Sequence, residues 1–227
     1  MSESTPAPSV SIGKLILIPS LITLGVTILR LVGELQHWTP ILFNRSAGGG
    51  GAAVGISWLP LIFGPYFAVK LVRAGQAPAS AGRSIGFPIA GLAIMILGGF
   101  VGFSPPITYG KMTAGYALMA VAGVIAAIGW SALGKTLVAY AYAARIPVAV
   151  IMYFAISGNW GTHYDVLPPE YTGPTDLVGK YIMIGLLPQL IIWIVFTVIV
   201  GSLLGSIAAM VARRRPAPVS ASGMPPA

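Results

Sequence analysis

Six runs of apolar residues, at about 12–33, 53–73, 84–104, 113–133, 136–157 and 179–211, dominate this chain. Each approaches the roughly 20 residues that a helix needs to cross the hydrocarbon core of a bilayer. In lipid the backbone finds no water to bond, so runs of this kind must fold as helices. The expected fold is all-α, a polytopic membrane protein built as a bundle of six transmembrane helices. Composition points the same way: only 8% of the 227 residues are charged, against about 25% in a soluble domain. So few charges could not cover a surface facing water.

The fourth and fifth runs are separated only by Ser131-Ala132-Leu133-Gly134-Lys135, which reads as a tight helical hairpin. The sixth is long enough to tilt or to run past the bilayer. Residues 12–211 read as a single transmembrane domain, flanked by a disordered tail at 1–11 and a basic, Pro/Ala/Ser-rich disordered tail at 212–227. The start of the chain shows neither a basic n-region nor a small-residue cleavage site, so the first run is expected to be retained.

Lys and Arg in short loops set the expected orientation. With six spans, Lys14, the Lys70, Arg73 and Arg83 loop, Lys135 and Arg213-Arg214-Arg215 all fall on one side, and both termini are expected in the cytoplasm. The other side receives Arg45, Lys111 and the 158–178 loop with Asp165, Glu170 and Asp176. The formal net charge of +8 is ascribed to this bias, and nucleic acid is not an expected partner. A multi-pass protein of the plasma membrane follows, as in a bacterial inner membrane. Its expected partners are the lipid bilayer and, within it, other membrane subunits or further copies of the chain. Pairs of small residues four apart, Gly98/Gly102, Gly123/Ala127 and Gly201/Gly205, predict close helix contacts.

Polar residues within or beside these runs are the candidate site. Arg145 falls near the middle of the fifth run, where insertion of an arginine costs about 2.5–3.5 kcal/mol, so it must face the bundle and find a partner. Pro147 cannot donate to the carbonyl of Ala143, which offers one acceptor. A structural lock and an anchor for an anionic solute are both consistent with that position. Arg30, Glu34 and His37 stand at i, i+4 and i+7 on one helical face, so Glu34 is expected to pair with Arg30 or Arg145.

On the outer side, His37, His163, Asp165 and Glu170 form a second group. Histidine with carboxylate is a donor set for zinc or another transition metal, and His37, His163 and Asp165 are the candidate ligands beside Glu34. Arg45, Gly48 and Gly49 precede the second run, where glycine amides can cradle an anion and can equally serve as a flexible linker. No phosphate-loop, dinucleotide-binding, nucleophile-elbow or haem-attachment motif is present, and no cofactor is expected beyond that possible outer metal. Three function classes remain. A small-solute transporter or channel-like carrier ranks first, a non-catalytic membrane subunit or scaffold second, and a membrane-embedded enzyme with a His/carboxylate site third.

Overall fold

The computed structural model describes residues 10–49, 51–169 and 171–213. Among them are six helices and no strand. Helices α1 (Ile12–Leu35), α2 (Leu59–Arg73), α3 (Ala81–Phe103), α4 (Tyr109–Gly129) and α5 (Ser131–Gly158) follow in order. The last, α6, opens as Leu177–Lys180, passes through π-helical turns at Tyr181–Leu186 and Pro188–Ile192, and closes as Trp193–Arg213. Most of the two expected tails lies outside the described residues, although Ser11 caps α1 and Arg213 ends α6.

Five of the six helices, α1, α3, α4, α5 and α6, are long and apolar enough to cross a membrane. The expected second span is corrected in length, since only residues 59–73 of the 53–73 run form α2. Its 15 residues reach about 22 Å at 1.5 Å per residue, short of a bilayer core of about 30 Å. The reason lies in residues 53–58, which do not join the helix. The amides of Ala53 and Val54 bond back to the carbonyls of Ile41 and Leu42, and the Val54 carbonyl accepts from Arg30. Pro60, in the first turn, suits a helix start.

A second correction concerns the α4–α5 connection. Ser131 to Lys135 is not a hairpin loop but the first turns of α5, and the break is Trp130 alone, with φ −143° and ψ 91°. Its indole N–H donates to the Gln76 carbonyl at 3.0 Å and its ring is buried.

Elsewhere the helices start on side-chain caps from Ser11, Ser80, Thr108 and Asp176. Small residues then set how closely the helices approach. A Cβ on Gly115 would stand 2.6 Å from the backbone of Gly98 and Gly102, and one on Gly64 would stand 2.5 Å from the Gly201 carbonyl. The two expected glycine pairs therefore lie at the α3–α4 and α2–α6 contacts. Buried threonines satisfy themselves within their own helices, as Thr23 does on Pro19 O and Thr136 on Ala132 O. Thr23 also bonds the Tyr140 hydroxyl at 2.8 Å, joining α1 to α5. Tyr140 sits edge-on to Phe63 and Phe67 of α2, and this cluster fills the centre of the bundle.

Candidate site: two buried arginines and the cavity between them

The two arginines singled out by sequence are both buried, yet the fold treats them differently. Arg30 lies one turn before the end of α1, where the 36–58 segment folds back over it. Its Nε donates to Glu34 Oε1 at 2.7 Å, Nη1 to Val54 O at 3.1 Å, and Nη2 to Asn44 O and Gly49 O at 3.2 and 3.1 Å. Close approach of that loop needs glycine. Gly49 has φ +77°, and a Cβ there would stand 2.5 Å from Arg30 Nη2. The glycine-rich turn thus presents carbonyls to a cation of the chain itself. Arg45 and Gly48, the other residues of the expected anion cradle, are exposed, and Gly48 lines the cavity described below.

Glu34 is 1% exposed and gathers the other side of the network. Its Oε1 takes Arg30, and its Oε2 accepts the backbone N–H of His163 at 2.9 Å. The His163 ring brings Nδ1 within 2.5 Å of Oε1, an ion-pair distance without the alignment of a good hydrogen bond. Burial pushes the His163 imidazole below its usual range, and Glu34 pulls the other way. Of these two effects burial prevails, so the fold favours the neutral ring. Beside it, burial lifts the Tyr164 phenol. The 159–166 turn that delivers His163 is held by Asp165, whose carboxylate accepts from the amides of Gly161 and Thr162 and from the Thr162 hydroxyl at 2.7–2.9 Å.

The outer histidine–carboxylate group is only partly assembled. Glu34 and His163 come together. His37 adopts a left-handed conformation (φ 54°) just past α1, and its exposed ring contacts Arg45 Nη1. Asp165 is engaged in its own turn, and Glu170 lies outside the described residues. Among the described residues, no three His, Cys, Asp or Glu side chains come together in a group able to hold a metal.

Arg145 stands midway along α5, about 20 Å from either end at 1.5 Å per residue. It is 4% exposed. Its hydrogen bond goes to Gln189 Oε1 at 3.3 Å, rather than to the carbonyl that Pro147 leaves free, and its guanidinium lies 4.5 Å over the Trp193 ring. Neither ion pair of Glu34 involves it, and no carboxylate among the described residues pairs with it. Gln189 comes from the π-helical part of α6, a geometry that concentrates at functional sites, and Trp193 is the first residue after it. Sequence reading passed over Gln189 and Trp193. The available signal was an amide in the middle of a lipid-soluble run, which must find a buried partner.

Arg145 and Arg30 both line one cavity of about 610 Å³. Gln189, Trp193, Met152 and Tyr116 share its inner walls, His163 lies near Arg30, and Thr108 and Thr172 line the loop end. The volume falls within the range of pockets that bury small organic ligands. No protein-family model, curated protein or solved structure matches the chain.

Proposed function

We propose that this chain is a membrane carrier that binds a small solute in the Arg145 cavity. Its five apolar spanning helices are compatible with an integral membrane protein, and the finer reading rests on one contrast. A buried arginine that serves packing should look like Arg30, with a carboxylate and three carbonyls around it. Arg145, which lines the same cavity, has one neutral acceptor and an aromatic face. Leaving a buried cation so poorly compensated costs several kcal/mol unless something else supplies the charge. A bound solute is that supply.

The cavity wall made by α6 is the element suited to move. Its turns at Tyr181–Leu186 and Pro188–Ile192 depart from α geometry, and broken helices at mid-membrane are a recurring feature of carriers. With Lys14, Lys70, Arg73, Arg83 and Lys135 placed in the cytoplasm by the positive-inside bias, the loop end of the cavity opens outward. A non-catalytic subunit would instead have a sealed, dry Arg145.

The test uses the absence of native cysteine. Met152→Cys, on the cavity wall, should react with a hydrophilic methanethiosulfonate from each face of the membrane in turn, in right-side-out and inverted vesicles. Ala126→Cys, fully buried in the apolar core, should react from neither. If Met152→Cys is as inert as Ala126→Cys from both faces, the carrier reading fails.

A further inference from the structure

We infer that the ligand of this cavity is a monoanionic amphiphile, its carboxylate-like head on Arg145 and its apolar body along the walls made by Met152, Tyr116 and Ile192. This inference rests on the carrier reading and specifies its solute.

The charge count comes first. Two arginines line the cavity. Arg30 is neutralised by Glu34 and enclosed by carbonyls, so it has little left to offer. Arg145 has no carboxylate among the described residues. Among the described residues one uncompensated positive charge therefore remains, and one negative charge on the ligand balances it. A dianion would leave a second charge buried and unpaired, which a low-dielectric site opposes.

The donor geometry sets the head group. Only Nη1 of Arg145 is hydrogen-bonded, to Gln189. Its other N–H groups have no acceptor among the described residues, and Arg145 lines the cavity. A guanidinium offers parallel N–H donors that match the two oxygens of a carboxylate. The amide of Gln189 adds a donor, since its Nε2 is held only by the Met152 thioether at 3.6 Å, a weak acceptor. With Trp193 covering one face of the guanidinium, the head must approach along its edge.

The walls set the body. Beyond Arg145, Gln189, Thr27 and Arg30 of α1 and the polar groups near the loops, the lining is thioether, aliphatic and aromatic. Such walls favour an alkyl or aryl tail over a sugar or an amino acid zwitterion, whose ammonium would meet no unengaged carboxylate among the described residues. The same chemistry could enter from water, as a short aryl or alkyl acid, or from the bilayer, as a long-chain fatty acid.

Calorimetric titration of the full-length protein in nanodiscs distinguishes these cases without any substitution. Octanoate should bind about tenfold or more tightly than octanamide, the difference expected when a charge-assisted bond is replaced by a neutral one. Octylammonium and the dianion suberate should bind more weakly than octanoate. Phenylacetate and oleate, each set against its own amide, report the source: preference for the acid in the first indicates entry from water, and in the second entry from lipid. In Arg145→Gln the preference of acid over amide should collapse, while Arg145→Lys keeps part of it.

Equal binding of acids and amides by the wild-type protein would overturn the inference, as would binding of none of these acids. In either event Met152→Cys labelling still reports separately on the carrier reading. If the residue labels from both faces, the carrier survives with a different solute; if it stays inert, both readings fail together.

Discussion

Glu34→Gln is the substitution that most directly tests the polar network at the end of α1. The carboxylate uses both oxygens as acceptors, Oε1 for Arg30 and Oε2 for the His163 amide. An amide of the same shape has one acceptor oxygen, so its NH₂ must face one of two donors. One charge-assisted hydrogen bond is lost, worth about 1.5–3 kcal/mol, and the buried guanidinium loses its counter-charge. Breaking a buried pair from one side typically costs about 3–5 kcal/mol. The three carbonyls that still hold Arg30 place the expected loss at the lower end, about 3 kcal/mol.

Equilibrium unfolding in mixed detergent micelles measures this loss, together with Arg30→Gln and the double substitution. Because the residues are in direct contact, the cycle should show coupling of about 1 kcal/mol or more, with the double variant less destabilised than the sum. Glu34→Gln within about 0.5 kcal/mol of the native protein, together with additive singles, would refute the account of a charge-paired buried network.

Two further outcomes follow from the same geometry. His163 has a folded pKa below its ordinary 6.5, so the unfolded chain takes up this proton first on acidification. Stability should therefore hold above about pH 6.5 and fall as pH drops from there toward the folded pKa. Melting temperature measured from pH 8 to 5 should show this fall and lose most of it in His163→Gln; a flat profile in the native protein would refute the assignment. The orientation is checked by labelling: Thr175→Cys should react with an impermeant maleimide on intact cells, and Ala79→Cys only after permeabilisation, while the reverse pattern would invert the bundle.

Much of the bundle was legible in the sequence because lipid leaves few choices. Apolar runs of spanning length fixed the places of α1, α3, α4, α5 and α6, and the Gly98/Gly102 and Gly201/Gly205 spacings marked close contacts. The 53–58 stretch misled because apolar composition does not reveal that its backbone is claimed by Ile41, Leu42 and Arg30. Trp130 looked like any residue of an apolar run, and its role as a one-residue break depends on reaching Gln76, far away in sequence.

The site was legible by residue type but not by pairing. Arg30 and Glu34 were found together because helical spacing joins them. The link from Glu34 to His163 crosses 129 positions, a separation that only the fold closes. Arg145 was marked by its depth. Its companions Gln189 and Trp193 were not, because the non-α turns that aim them leave no periodic signature.

Those turns also keep count along the chain. A π turn holds one more residue than the α turn it replaces. Everything after Ile192 is therefore set in rotation by the wider turns before it. Were one of these turns to tighten to α geometry with every residue kept, the remainder of α6 would swing by about 100°. Trp193 would leave the guanidinium, and Gly201 and Gly205 would turn their flat side away from Gly64. A single local irregularity thus phases the lining of the cavity with the seam that holds α2 and α6 together.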